Sequence, residues 1–284
     1  MQIAKTIGEI RSFVAQARAA GKTVGFVPTM GALHVGHASL IDAAARRCDY
    51  VVVSIFVNPT QFCPGEDFER YPRPFEKDVE LCEKHGAHAI FAPTPAEMYP
   101  RKGLTWVTVE KLTEPLCGRS RPGHFRGVTT VCTKLFNIVG ADIAFFGQKD
   151  AQQVAVIQRM VADLNLPLEI AVCPTVREPD GLAVSSRNQY LSPQDRREAP
   201  VIYRALQRCA ELIAGGERNA AGIVHQMHNV LRQVPAMQVE YVSIVDAETL
   251  EAVDRLQGRV LVAIAARLGS TRLIDNIVVD TAGR

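Results

Sequence analysis

The run Tyr50-Val51-Val52-Val53-Ser54-Ile55-Phe56-Val57 narrows the fold more than any other part of this chain. Its residues are almost all apolar, and β-branched side chains dominate. A strand with one wet face would alternate polar and apolar positions instead. An unbroken run belongs to a strand covered on both faces, as in a parallel sheet flanked by helices.

The neighbouring segments fit that sheet. Thr6 and Glu9 have the spacing of a capping box, with Ile10, Val14 and Ala17 on one helical face behind them and Gly21 as the stop. A short buried strand is expected at 23–27, a helix at 36–48, a helix at 74–85 and a strand at 89–92. A long helix near 127–139, a strand at 142–146, a helix at 151–164 and a strand at 168–172 continue the alternation. This is the pattern of a doubly wound α/β domain closing near residue 175. Residues 176–192 then read as loop. Ser192-Pro193 reads as a helix cap with proline in the first turn, and strands are expected at 239–245, 259–265 and 272–279. The C-terminal part is therefore expected to be a smaller α+β domain.

Three segments carry groups suited to phosphate. Pro28-Thr29-Met30-Gly31-Ala32-Leu33-His34-Val35-Gly36-His37 joins the first buried strand to its helix. A helix N-terminus offers unpaired N–H groups and partial positive charge, glycine permits close approach, and His34 and His37 add imidazole donors. Phe146-Gly147-Gln148-Lys149-Asp150 also lies between a strand and a helix. Lys149 supplies a mobile cation, with Gln153 one helical turn further on. In Val184-Ser185-Ser186-Arg187-Asn188, two hydroxyls and a guanidinium suit a phosphate tail, and a loop of this kind can close over ATP. Each segment taken alone is also compatible with surface histidines, a solvated ion pair or a polar linker. No Walker loop or regular dinucleotide fingerprint is present.

Composition removes other classes. A net charge of +2 without long blocks of one sign gives no footprint for nucleic acid or an anionic membrane. Seven dispersed cysteines without a Cys-x-x-Cys pair read as reduced thiols, and the N-terminal residues lack the plan of a signal peptide, so a cytoplasmic location is expected. His85-x-x-His88 and His225-x-x-His228 have no evident further zinc ligands. Trp106 reads as packing, and Cys63 as a tolerated small side chain near the 58–62 loop.

Together, in this order, the three segments resemble the pantothenate synthetases, the pantoate–β-alanine ligase family. Asn58-Pro59-Thr60-Gln61-Phe62, Tyr71-Pro72-Arg73 and Thr271-Arg272-Leu273-Ile274-Asp275-Asn276 extend the resemblance over essentially the whole chain. It implies a Rossmann-like domain of nucleotidylyltransferase type at 1–175, binding ATP and pantoate, a C-terminal lid at 176–284, and a homodimer. It also implies a two-step ligation through a pantoyl adenylate, consuming ATP with Mg2+ and releasing pyrophosphate and AMP. By resemblance, ATP falls to Met30, Gly31, Ala32, Leu33, His34, Val35, Gly36 and His37, to Gly147, Gln148, Lys149 and Asp150, and to Val176, Val184, Ser185, Ser186 and Arg187. His34, His37, Lys149 and Arg187 are the catalytic candidates. His37 is assigned as proton donor, a position that a plain hydrogen-bond donor would fill equally well. Gln61 and Gln153 fall to pantoate, with Gln61 also beside β-alanine, and Met30 and Asn58 line the same pocket. Asp78 and Asp150 are candidates to reach Mg2+. His124 lies in a segment similar to one near the family's active site and receives no role. An adenylyltransferase that releases its product, and a nucleotide sensor without turnover, stay open as alternatives.

Overall fold

The structure, a computed structural model, describes residues 1–281. The elements in chain order are β1 (Gln2–Ala4), α1 (Ile7–Ala19), β2 (Val24–Thr29), α2 (Val35–Arg47), β3 (Tyr50–Ile55), α3 (Phe75–Lys84) and β4 (Ala89–Phe91). Then come α4 (Pro95–Met98), α5 (Cys117–Ser120), α6 (His124–Val139), β5 (Ile143–Gly147), α7 (Ala151–Asp163) and β6 (Glu169–Cys173). The remainder is α8 (Pro193–Glu198), α9 (Val201–Ala214), α10 (Ala220–Leu231), β7 (Gln238–Asp246), β8 (Arg259–Leu268) and β9 (Thr271–Asp280). Two compact units result. The first holds residues 1–114, 118–147 and 156–174, and the second holds 115–117, 148–155 and the described residues from 175 onward.

In the first unit, six parallel strands run in the order β1-β4-β3-β2-β5-β6. The chain winds outward from β2 to β3 and β4, then returns to the other side of β2 for β5 and β6. The direction reverses between β2 and β5, and the crevice beyond the carboxyl ends of two such strands is the usual ligand position in open α/β sheets. β3 is buried along nearly its whole length, as its unbroken apolar run requires. Leu40, Ile41 and Ala44 of α2 and Cys82 of α3 pack with Val51, Val53 and Phe145 of the sheet. Elsewhere Phe136 of α6 packs edge-on against Phe26 of β2 and Phe146 of β5. The capping box of α1 is formed, with Thr6 accepting from the Glu9 N–H and Glu9 accepting from the Thr6 N–H, while Ile10, Val14 and Ala17 face inward.

The second unit has an antiparallel sheet, β7-β8-β9, and a core shared with α9 and α10 through Ile202, Leu206, Ile223, Met227, Val262 and Ile264. Ser192 caps α8 ahead of Pro193 as expected. Some elements differ from the sequence expectation. The three-residue β1 and the one-turn helices α4 and α5 are too short to show a period, and α6 begins at His124, directly after Gly123 in the left-handed region at φ 84°. Residues 176–192 are also more ordered than a plain loop, with an antiparallel bridge between Arg177 and Ala183 and a 3-10 turn over Ser186–Tyr190.

The early start of α6 brings its first turns against a second 3-10 turn, Pro59–Gln61. Gly127 makes that approach possible, because a Cβ there would lie 2.2 Å from the Thr60 carbonyl oxygen and 2.7 Å from Gln61 Cα. Gly127→Ala should therefore destabilise the protein by about 1–3 kcal/mol through overpacking against backbone, read as a lower Tm in thermal unfolding. An unchanged Tm would show that the turn yields freely.

Candidate active site

β2 ends at Thr29, whose hydroxyl donates to the Ser54 carbonyl at 2.6 Å and accepts from the Gly31 N–H at 3.1 Å. The chain then turns through two residues in the left-handed region, Gly31 at φ 82° and Ala32 at φ 50°. That conformation suits glycine, whereas for Ala32 it costs roughly 1–2 kcal/mol. The compensation comes from Asp78 on α3. Its Oδ2 accepts the Ala32 N–H at 2.9 Å and its Oδ1 accepts the Leu33 N–H at 2.7 Å. The two bonds draw consecutive N–H groups onto one carboxylate and so fix the turn, against the cost of burying its charge. Asp78 is 1% exposed, and burial pushes its carboxyl up while the two N–H bonds pull it down.

Asp78, expected as a candidate to reach Mg2+, has both oxygens engaged by the loop and almost no exposure, so in this structure it clamps the loop. Most amides of the loop are engaged as well. The N–H groups of Gly31, Ala32, Leu33, His34, Gly36 and His37 all have acceptors within the protein.

The donors suited to an anion here are side chains. His34 caps α2, its Nδ1 accepting from the Gly36 N–H at 3.2 Å, and His37 Nδ1 accepts from the His34 N–H at 3.3 Å. An Nδ1 that accepts a backbone N–H carries no proton, so each neutral ring holds its proton on Nε2. The rings lie 4.1 Å apart at 35°, and Gly36 leaves room for this, since a Cβ there would approach His34 Cε1 to 2.9 Å. The two half-buried imidazoles stand at a helix N-terminus, where the partial charge favours an anion.

Gln61 is equally constrained. Its Nε2 donates to Met30 Sδ at 2.9 Å, and its Oε1 accepts from Asn58 Nδ2 at 3.0 Å. Asn58 is 1% exposed. Its Oδ1 accepts from the Thr60 N–H, the Thr60 hydroxyl and the Tyr99 hydroxyl, and its Nδ2 also reaches the Gly127 carbonyl. The resemblance assigns Asn58 to the pocket lining, and in the structure its side chain supports that of Gln61. His124, given no role from sequence, donates from Nδ1 to the Gln61 carbonyl at 2.7 Å and takes an Arg121 N–H on Nε2 at 2.9 Å. Arg121 in turn forms a bidentate pair with Glu66. Burial pushes the Glu66 carboxyl up, but Arg121 and the Cys63 N–H outweigh it and hold it below the usual carboxylate value. Cys63 donates its thiol to the Pro122 carbonyl, and burial together with Glu66 raises that thiol, so the side chain is not an activated nucleophile.

In the second unit, Lys149 Nζ lies 4.0 Å from Asp150 Oδ1, a carboxylate 51% exposed. Gln153 is half-buried on α7 beside the buried Gln152, whose amide accepts from the Cys117 N–H and donates to the Pro115 carbonyl. The Val184 N–H donates to the Val176 carbonyl at 3.0 Å, and Ser185 caps the Ser186–Tyr190 turn by accepting the Arg187 N–H. The amide of Asn276, with its neighbour Asp275, fastens both of these segments, a pairing that the sequence marks only as a motif. Among the described residues there is no group of three or more His, Cys, Asp and Glu arranged to hold a metal ion.

A doubly wound parallel sheet whose switch-point loop leads into paired imidazole donors defines a protein of the phosphate- or nucleotide-handling α/β class. Residues 2–278 match the family model described as pantoate–β-alanine ligase. A pantothenate synthetase of Moorella thermoacetica is 55% identical over 280 residues, covering 99% of each chain, and one of Acetivibrio thermocellus is 52% identical over 280 residues, covering 99% of this chain and all of its own. The crystal structure of pantothenate synthetase from Thermus thermophilus superposes with a TM-score of 0.93 at 45% identity, covering 98% of this chain and 99% of the other. The pantoate–β-alanine ligase of Francisella tularensis, crystallised with β-γ ATP and β-alanine, superposes at 0.80 with 34% identity, covering 98% and 97%. The chain belongs to the pantoate–β-alanine ligase family.

The Asp78 clamp has a measurable signature. Asp78→Asn keeps the shape but turns an NH2 toward one of the two loop N–H groups, so stability should fall by about 1–3 kcal/mol. Because burial raises the folded-state pKa of Asp78, its ionised form opposes folding, and that penalty fades as pH falls through the raised value toward the ordinary 3.8. The stability gap between wild type and Asp78→Asn should therefore widen on acidification. A gap that narrows in denaturant titrations run from neutral to acidic pH would contradict this assignment.

Proposed function

We infer that the chain is an ATP-dependent ligase that condenses pantoate with β-alanine through a pantoyl adenylate. Family membership over nearly the full length supports the overall reaction, and the ATP and β-alanine held by the Francisella neighbour support those two substrates. The single structural observation that carries the reading is the pair of imidazoles of His34 and His37 at the head of α2, each with its Nδ1 accepting a loop N–H.

In the first step a pantoate carboxylate oxygen attacks the α-phosphorus of ATP, and the bond from that phosphorus to the bridging oxygen breaks, releasing pyrophosphate. Two anions must meet, and negative charge builds on the departing group. Fixed donors aimed at that charge stabilise it without reorganising. His34 and His37 fill this role as neutral hydrogen-bond donors, and His37 is proposed to act on the leaving phosphate by hydrogen bonding, because a neutral imidazole keeps its Nε2 proton. Lys149 and Arg187 are proposed to add cationic charge, with Gly147, Gln148, Asp150, Val176, Val184, Ser185 and Ser186 forming the rest of their nucleotide-binding segments. Mg2+ on the phosphates would neutralise part of their charge, and the exposed Asp150 carboxylate fits an oxygen-seeking ion better than the engaged Asp78.

In the second step the β-alanine amine attacks the acyl carbon, the bond to the adenylate oxygen breaks, AMP leaves, and the nitrogen loses a proton. Gln61 and Gln153 are proposed to hold pantoate. A neutral amide orients the substrate without tying up the carboxylate lone pairs as a bidentate arginine would. Gln61 arrives pre-aimed, because Met30 and Asn58 hold its side chain and His124 its carbonyl. A homodimer in the cytoplasm completes the proposal. Among the described residues no helix is long and apolar enough to cross a membrane.

Product analysis with Mg-ATP, pantoate and β-alanine, omitting each in turn, tests the reaction. AMP, pyrophosphate and pantothenate should appear together only with all three present. Formation of ADP, or steady release of an adenylate indifferent to β-alanine, would overturn it, the latter in favour of an adenylyltransferase. Within an active enzyme, His37→Ala should lower kcat by about 10²–10³, the usual loss for one preorganised donor. Gln61→Ala should weaken pantoate use sharply while leaving the KM for ATP near its original value. Unchanged steady-state kinetics in either variant would remove that residue from its assigned place.

A further inference from the structure

The Asp275-Asn276 pair interrupts β9 at its centre. The strand reads Thr-Arg-Leu-Ile-Asp-Asn-Ile-Val-Val-Asp, and two successive polar side chains in its middle are both buried, at 4% and 5% exposure. Simple strand alternation would turn one of them outward. Burying an unpaired amide or carboxylate is costly, so the partners of these groups show what their burial serves.

Each polar atom has a partner in the same unit. Asn276 Nδ2 donates to the carbonyls of Gln148 at 3.0 Å and Lys149 at 2.8 Å, and its Oδ1 accepts from Gln148 Nε2 at 3.1 Å. Asp275 takes Arg177 bidentately, at 2.6 Å on Oδ2 and 3.0 Å on Oδ1, and its Oδ1 also accepts the Asn276 N–H at 2.8 Å. Arg177 donates to the Gly181 carbonyl and lies 4.0 Å above the Tyr203 ring. It is bridged to Ala183, next to the Val184 that pairs with Val176. One strand thus holds the backbone of 148–149 through Asn276 and the base of 176–187 through Asp275.

We propose that Asp275 and Asn276 are positioning residues that set the two nucleotide-binding segments of the C-terminal unit in one frame. The proposal rests on the assignment of Lys149 and Arg187 to ATP. A lysine has a flexible four-carbon stem, so where its ammonium can reach depends on where its backbone is held. Asn276 holds that backbone at the Lys149 carbonyl itself. The amide suits the task because it offers two donors to two carbonyls and an acceptor to a third group, a set that no single carboxylate or hydroxyl supplies. The N–H bond from Asn276 to Asp275 ties the two anchors, so the segments are set relative to one another.

A double-mutant cycle separates positioning from general stability. Asn276→Ala, confirmed as folded by circular dichroism, should lower kcat/KM for ATP by about tenfold, within the range for residues sharing one network. In a Lys149→Ala background the same substitution should change it less than about twofold, because the side chain being positioned is gone. Equal losses in both backgrounds would show a merely structural amide and overturn the proposal. If Asn276→Ala does not fold, Asn276→Ser, which keeps one donor and one acceptor, replaces it in the same cycle with the same criterion and a smaller expected loss. Lys149→Ala alone reports on the underlying assignment. If it leaves ATP kinetics unchanged, that assignment fails, whereas a large Lys149→Ala effect beside a neutral Asn276→Ala defeats the positioning role only.

Discussion

A buried carboxylate on α3 accepts two consecutive backbone N–H groups from the loop after β2, and the geometry of the candidate site follows from that contact. Gly31 and Ala32 turn through the left-handed region, a conformation that an alanine resists. The Asp78 bonds hold that turn and fix the direction in which the chain enters α2. His34 then falls at the N-cap with its Nδ1 turned inward to Gly36, and His37 turns its own Nδ1 to the His34 N–H. Both rings are left with their protons on Nε2. The helix terminus and the two rings together make this position suited to an anion.

A common device recurs in the two units. A buried asparagine or aspartate spends its hydrogen-bonding capacity on a segment that carries a side chain assigned to substrate. Asn58 does this beneath Gln61, with Gly127 allowing α6 to come close. Asp78 does it beneath the histidine loop, and Asn276 does it at Lys149. Short, stiff side chains lose little entropy when fixed, and an amide or carboxylate can take several backbone groups at once. The groups assigned to substrate are longer or more mobile, and their aim is supplied by these supports.

The sheet is legible in the sequence because burial on both faces leaves an unbroken β-branched run such as 50–57, and the helices because their apolar spacing and caps are local. The three segments proposed for phosphate stand out for the same reason, as each is a contiguous stretch between a strand and a helix or within one loop. The supports do not. Asp78 lies 46 residues from the Ala32 that it clamps, and nothing in a helical Asp distinguishes a loop anchor from a metal ligand. Asn58 enters the pocket assignment through the resemblance, but its bonds to Tyr99 and to Gly127 of α6 cannot be read from the chain. His124 meets Gln61 only because α6 begins three residues earlier than its apolar spacing suggests and Gly127 admits the 59–61 turn. Asp275 and Asn276 do leave a trace, two polar residues in the middle of an apolar strand, but their partners at 148–149 and 177 are set by tertiary folding alone.

The central physical claim is that both histidines are held as neutral donors with the proton on Nε2 before any ligand arrives. It is tested most directly by nitrogen-15 NMR of the histidine side chains, with His34 and His37 assigned through single substitutions and spectra recorded with and without ATP. Both rings should show the Nε2–H tautomer in the free protein, and ATP should perturb the Nε2 resonances while leaving the Nδ1 atoms as acceptors. An Nδ1–H tautomer at either residue in the free protein would contradict the claim, because the backbone N–H groups of His34 and Gly36 would then face a donor and the loop could not hold the rings as described.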